Sequence, residues 1–257
     1  MTNFRDLIVE YPNVISKDLC DEIIARFEDD KNKSSGQTAD RSPSRAKIST
    51  DLHLSSYPQW SDIDDKIFEL FGPYCKKYLE FLSNTFGGAV RPSKTQIMDS
   101  GYQIQRTMKG EYYRWHTDDQ YCAIWDTITQ PFVEEKGQVI DDTRSCGYER
   151  RLFTYIFYLN DNFFGGKTQF QVGSSEEDTV SITPEQGKLL CFPANFLYPH
   201  QGAEVTAGAK YIMTGWVNDY IKYPIMDGSP MSMVWRQEYV EQGREMLVPD
   251  PVQQVDQ

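Results

Sequence analysis

The sequence predicts a mainly β protein with flanking helices, its core an antiparallel barrel or jelly roll with the N-terminal helices packed on it. Three observations carry this. From about residue 95 the chain becomes a series of short β-rich runs separated by turn residues. Ahead of them lie two stretches whose apolar residues recur at helical spacing. Between the runs there are none of the long helices that parallel crossovers require.

The first helix is expected from Ser16 to about Asp30, with Ser16 as N-cap and Leu19, Ile23, Ile24 and Phe27 on its buried face. The stretch 31–50 is polar and reads as a mobile basic loop bearing Lys31, Lys33, Arg41, Arg45 and Lys47, either a solvated linker or a lid. A second helix is expected from Ser61, with Asp64 as capping-box partner. Its stripe is Ile63, Ile67, Leu70, Phe71, Tyr74, Tyr78, Phe81 and Leu82. Pro73 should kink or split it, and Gly87-Gly88 should close it. Strands are expected at 95–98, 102–107, 151–159, 168–172, 179–182, 188–192 and 210–217. The long interruption 119–150 has the length of a functional or disordered loop. A short helix at 235–246 and a polar tail from Pro249 complete the chain.

Bulk properties narrow the function classes. Of the 257 residues, 39% are hydrophobic and 14% aromatic, which suffices for a core and excludes the disordered class. A formal charge of -12 argues against nucleic acid as a partner, because phosphate binding needs a basic face. The five cysteines are scattered, without CxxC, and read as reduced thiols rather than a disulfide framework or zinc site. There is neither a secretory pattern at the N-terminus nor an apolar run near the ~20 residues that span a bilayer, so a soluble, cytoplasmic protein without membrane contact is expected.

The chemistry resides in three histidines and their surroundings. His116-Thr117-Asp118 is an H-x-D, and on an extended backbone residues i and i+2 point to the same side. A distant histidine can complete with them the two-His, one-carboxylate set that suits non-haem Fe(II). A strand over 210–217 places Lys210, Ile212, Thr214 and Trp216 on one face. A lysine on such an inward face is expensive to bury alone, and a carboxylate-bearing ligand would resolve the cost. Tyr158 shares a face with Leu152, Thr154 and Ile156, and its hydroxyl needs a buried partner. It is either a second donor to that ligand or an ordinary core tyrosine. His53 reads as a surface or loop histidine.

The order of these motifs resembles the prolyl 4-hydroxylase-like branch of the Fe(II)/2-oxoglutarate-dependent oxygenases. The resemblance runs through His116 and Asp118, the strand ending Tyr158-Leu159-Asn160-Asp161, Gly165-Gly166, Gly187, Pro199-His200, Lys210 and Trp216, over roughly residues 95 to 220. It implies a double-stranded β-helix core with His116, Asp118 and His200 on iron. It also implies Lys210 as partner of the distal 2-oxoglutarate carboxylate, with Tyr158 beside it and Thr214 near the same co-substrate. In the run Y-x-x-G-x-x-Y-x-x-H-x-D the positions Gly110, Tyr113, His116 and Asp118 match, while Thr107 stands where members often carry tyrosine. Tyr113 and Thr107 are therefore candidate co-substrate contacts.

The chain then reads as one oxygenase domain, 1–257. Helical support occupies 1–94, the jelly-roll catalytic core 95–220, and a C-terminal extension 221–257. Fe(II), 2-oxoglutarate and dioxygen are the implied reactants, with ascorbate as candidate reductant and succinate and CO2 as co-products. Because the carboxylate of Asp118 is present, hydroxylation is favoured over halogenation. The implied substrate is a prolyl residue of a peptide or protein, the alternative a free amino acid or small metabolite. Arg114, Trp115, Tyr121 and Trp125 are candidates for contacting it. Two rival readings are a cupin-like metal-binding module without oxidative activity and a structural or assembly protein on the same barrel.

Overall fold

The computed structural model describes residues 3–37, 46–88, 96–119, 121–124, 132–133, 139–141, 145–175 and 178–224. The chain divides into two compact units, 1–121 with 150–220, and 122–149 with 221–257.

The first unit opens with a 3-10 turn, Phe4–Leu7, and strand β1 (Val9–Tyr11). Helix α1 (Lys17–Asp29) follows, Ser16 accepting from the Leu19 amide as its N-cap and Leu19, Cys20, Ile23 and Phe27 facing inward. Next come β2 (Ser34–Ser35) and β3 (Thr50–His53). Of the stretch expected to form a mobile loop, residues 38–45 lie outside the described residues, and its two ends are tied down. Ile48 N–H donates to Tyr112 O and Arg114 N–H to Ala46 O, so 46–48 is tied to the chain beside it. Lys47 is 7% exposed and pairs with Asp51 at 2.6 Å. Lys33 donates to the Phe27 carbonyl at the end of α1. Two of the five cations of this stretch thus serve internal bonds, while Arg41 and Arg45 lie outside the described residues.

Helix α2 (Ser61–Thr85) departs from expectation at its start. A 3-10 turn, Pro58–Trp60, runs directly into it, so Ser61 already has helical dihedrals and caps nothing. Asp64 accepts from Ser55 Oγ instead, and Asp62 pairs with Arg26 at 2.7 Å. Pro73 does not split the helix. Gly72 before it lacks the Cβ that would meet the ring, and the carbonyl deprived of its donor belongs to exposed Glu69. The apolar stripe faces inward as its spacing requires, with Ile63, Ile67, Phe71, Tyr78 and Leu82 buried.

The β elements are β4 (Gln96–Asp99), β5 (Gln103–Met108), β6 (Tyr113–His116), β7 (Tyr121–Ile124), β8 (Phe132–Val133), β9 (Val139–Asp141) and β10 (Ser145–Tyr158). They continue with β11 (Phe164–Gly165), β12 (Thr168–Gln171), β13 (Thr179–Ile182) and β14 (Leu189–Pro193). The last are β15 (His200–Gly202), β16 (Val205–Ala207) and β17 (Ala209–Pro224). The larger sheet runs β1-β14-β10-β17-β5-β3-β2, with β4 on β17, and the smaller runs β13-β12-β15-β6. Pairing is antiparallel, as a jelly roll requires.

The end of β10 from Leu152 is largely apolar because both of its faces are used. Phe153, Tyr155 and Phe157 pack on α2, with Tyr155 4.4 Å from Phe71 and Phe153 4.8 Å from Tyr78 between ring centroids. Thr154 and Ile156 face the opposite way, into a cavity between the two sheets. One face therefore anchors the helix while the other builds the site. In the second unit, β8 and β9 pair antiparallel. The helix expected at 235–246 and the tail lie outside the described residues. Cys20, Cys75 and Cys191 are free thiols. Among the described residues, no helix is long and apolar enough to cross a membrane.

Candidate functional site

Antiparallel pairing of β15 with β6 sets His200 directly opposite His116. Asp118 lies two residues beyond, and the ligand atoms of all three fall within 4.8 Å of one another. The Asp118 carboxylate stands 3.7 Å from His116 Nε2 and 3.6 Å from His200 Nε2. Both rings are turned by the backbone. His116 Nδ1 donates to Arg114 O at 2.7 Å and His200 Nδ1 to Tyr198 O at 3.0 Å. A carbonyl can only accept, so each Nδ1 carries the hydrogen and each Nε2 lone pair is left for the centre. Asp118 is 8% exposed, and its Oδ2 accepts from Thr154 Oγ1 at 2.7 Å.

Electrostatics agree with a metal-binding state. Burial alone would raise the Asp118 carboxyl, but His200, His116, the Thr154 hydroxyl and Arg151 together hold it below the usual carboxylate range. Burial, then neighbouring His200, lowers His116 to about 4. An ionised carboxylate and a neutral imidazole are the forms that bind a cation.

A small cavity lies above this cluster. Its walls are Gln105 and Thr107 from β5, Tyr113 from β6, Thr154 and Ile156 from β10, Thr168 from β12, and Lys210, Ile212, Thr214 and Trp216 from β17. Lys210 is 4% exposed, and its ammonium donates to Gly166 O at 2.6 Å. Gly166 adopts φ +62, and a Cβ there would lie 3.3 Å from Lys210 Cδ and 2.9 Å from Phe163, so only glycine brings this carbonyl so close. Among the described residues no carboxylate lies within ion-pair reach of Lys210, and burial lowers its pKa to about 8. A buried cation without a counter-charge, beside a cavity that ends in two imidazoles and a carboxylate, fits a dicarboxylate ligand and a divalent metal.

The remaining expected residues fall in different places. Thr107, Tyr113 and Thr214 line the cavity. Tyr113 stacks on His116 at 3.6 Å, and the Thr214 hydroxyl donates to Tyr155 O at 2.7 Å. Tyr158 is fully buried behind the wall, with its hydroxyl donating to Thr168 Oγ1 at 2.7 Å and its ring 5.8 Å from Lys210 Nζ. Arg114 and Trp115 are exposed and stand off the cavity wall. Trp125 and the side chain of Tyr121 lie outside the described residues. His53 is exposed as expected, but sits on β3 with Nε2 2.8 Å from the Gln103 amide.

Sequence reasoning missed Gln105, Thr168 and Arg151. Arg151 lies 3.5 Å over the Trp216 ring and donates to Asp118 O at 3.3 Å. Gln105 was within reach, since it shares a strand face with Thr107 at period two. Thr168 and Arg151 carried no local signal, because each acts through a strand distant in sequence.

Comparison with known proteins gives concordant results. Residues 102–218 match the model of the 2OG-Fe(II) oxygenase superfamily. Human prolyl 3-hydroxylase 3 is 28% identical over 94 residues, 35% of this chain and 13% of that protein. A putative prolyl 4-hydroxylase of Acanthamoeba polyphaga mimivirus is 27% identical over 125 residues, 46% of this chain and 44% of that protein. The chain thus spans less than half the length of these curated relatives. In fold it resembles a prolyl hydroxylase from Trichoplax adhaerens, solved with a hypoxia inducible factor oxygen degradation domain peptide fragment. There the TM-score is 0.55 at 17% identity, covering 82% of this chain and 83% of that one.

Proposed function

We propose, from the 2OG-Fe(II) oxygenase domain of prolyl hydroxylase-like type that this chain carries, that it hydroxylates an unactivated C–H bond, most readily that of a prolyl residue in a peptide or protein. The observation that carries the reading is Lys210, a buried ammonium without a carboxylate partner among the described residues, in the same cavity as the His116, Asp118 and His200 cluster. Fe(II) held by those three side chains, with 2-oxoglutarate, would supply the oxidising power: dioxygen is reduced as the oxoacid loses CO2 to give succinate and the substrate carbon gains a hydroxyl.

The chain's own residues provide the rest. Lys210, aimed by the Gly166 carbonyl, pairs with the distal carboxylate of the co-substrate. Thr168, held by Tyr158, and Thr107 on the facing wall give neutral hydrogen-bonding groups nearby. Thr154 fixes the Asp118 carboxylate, and two backbone carbonyls fix the imidazoles, so the donor set needs no rearrangement on binding. Ile156 and Ile212 add apolar surface to a wall that threonines and Gln105 also line. The names of the relatives, prolyl 3- and 4-hydroxylases, support a prolyl substrate.

The test is anaerobic titration with Fe(II) and 2-oxoglutarate, watching the visible charge-transfer band of the chelate. The band should form in the native protein, vanish in Asp118→Ala, and need far more 2-oxoglutarate in Lys210→Ala. Folded native protein that binds metal without giving the band would leave the cupin-like module as the better reading.

A further inference from the structure

One hydrogen-bonding group on the cavity wall has its direction fixed from behind. Asp51 is 3% exposed, and its carboxylate can only accept. Lys47 Nζ donates to it at 2.6 Å, Ser49 Oγ at 2.8 Å and Gln103 Nε2 at 3.3 Å. The second Gln103 amide hydrogen is directed at His53 Nε2, 2.8 Å away, which must therefore offer its lone pair. With both hydrogens so placed, Gln103 Oε1 is turned to Gln105, whose Nε2 donates to it at 2.7 Å. Amide orientation is thus dictated by a carboxylate two links away. Gln105 borders the cavity, and among the described residues its Oε1 and its second Nε2 hydrogen have no protein partner.

The co-substrate cannot satisfy that oxygen. At neutral pH 2-oxoglutarate offers two carboxylates and a ketone, acceptors throughout, so it can take the spare hydrogen and nothing more. Register places Gln105 opposite Ile212, two residues along from the pair Thr107 and Lys210, beside the anchor rather than at it. We propose that Gln105 is a specificity-determining residue whose carboxamide oxygen accepts a hydrogen bond from an N–H of the primary substrate, close to the carbon that reacts. This rests on the oxygenase reading and adds the substrate's chemistry to it. A prolyl residue within a chain has no N–H of its own. In a peptide the donor is then the main-chain N–H of the residue after the proline; in free proline it is the ring ammonium.

The experiment uses the full chain with Fe(II) and 2-oxoglutarate and three probes. These are acetyl-alanyl-prolyl-alaninamide, the same peptide with an ester in place of the amide after proline, and L-proline. The ester deletes a single N–H. The native protein should favour amide over ester by about fivefold to tenfold in kcat/KM. Gln105→Leu and Gln105→Met should bring that ratio to about one, with 2-oxoglutarate half-saturation of the charge-transfer band unchanged within about twofold. Asp51→Asn, which frees Gln103 to turn over, should lower the ratio without altering the wall. Turnover of L-proline alone, lost in both Gln105 variants, would support the role and assign the N–H to a free amine. The proposal is overturned by a ratio near one in the native protein, by a ratio that survives Gln105→Leu, or by acceptance of no probe in protein that forms the band. Native protein that forms no band would remove the oxygenase reading itself, a separate failure.

Discussion

Replacing Lys210 with methionine should make the metal-free protein more stable. Burial lowers the ammonium from 10.5 to about 8. Each pH unit of that gap is worth about 1.4 kcal/mol, so keeping the charge in place costs the folded state about 3 kcal/mol at neutral pH. Methionine fills similar space without charge, but leaves the Gly166 carbonyl without its donor, a loss of about 1 kcal/mol. The net gain is about 2 kcal/mol, roughly 4–8 °C in Tm for a chain of this length. The sign with pH follows from proton counts. The unfolded chain keeps the lysine proton up to about 10.5, whereas the folded protein releases it near 8, so between these values the unfolded state binds more protons. Native stability therefore rises through that window, and the advantage of Lys210→Met shrinks across it. Urea denaturation of both proteins at pH 7 and pH 10, without metal, measures the gap. A methionine variant less stable than the native protein at pH 7, or a gap that does not narrow by pH 10, would refute the reasoning.

Other outcomes follow from the same geometry. Asp118→Asn keeps the shape and removes the charge, and should weaken Mn(II) binding at least tenfold by calorimetry, in line with the roughly 10- to 100-fold seen for supporting residues alone. His116, lowered to about 4 against an ordinary 6.5, contributes stability that is complete above 6.5 and lost as pH falls through 4; Mn(II) binding should accordingly persist at pH 5.5 and fail near pH 4, and failure already at pH 6 would contradict the assignment. Gly215→Ala would set a Cβ 2.3 Å from the Tyr155 hydroxyl and 2.5 Å from Gly101 O, and overpacking of this kind costs about 1–3 kcal/mol, readable as a lower urea midpoint at constant m-value.

Much of the site was legible because its residues obey short-range periodicity. His116 and Asp118 stand at i and i+2, and the alternation along 210–217 put Lys210 and Thr214 on the wall. Strand β10 was legible as doubly buried, and α2 by its stripe. What escaped depended on distant partners. Strands β1, β6 and β15 have only three or four residues, too few for a pattern, and exist through the strands they pair with. Lys47 looked like one more loop cation, and nothing nearby in sequence indicates that Asp51 would be buried with it. Ser61 has the composition of a cap, but the turn Pro58–Trp60 supplied the helix start first.

Strand β1 has a practical bearing on the site. Val9–Tyr11 covers β14 along one border of the larger sheet, and the hydroxyls of Tyr78 and Tyr198 stitch down the Leu7 and Phe4 carbonyls just ahead of it. All five residues of β14 are buried. Strand β14 in turn sets Phe192 against Thr154, the residue that holds Asp118, and Tyr198 supplies the carbonyl that orients His200. Residues 3–11 act as a hem. Trimmed away, they would bare a greasy strip of unpaired backbone ready to template edge-to-edge association, and the fraying would begin on the strand beside Thr154, the residue that holds Asp118.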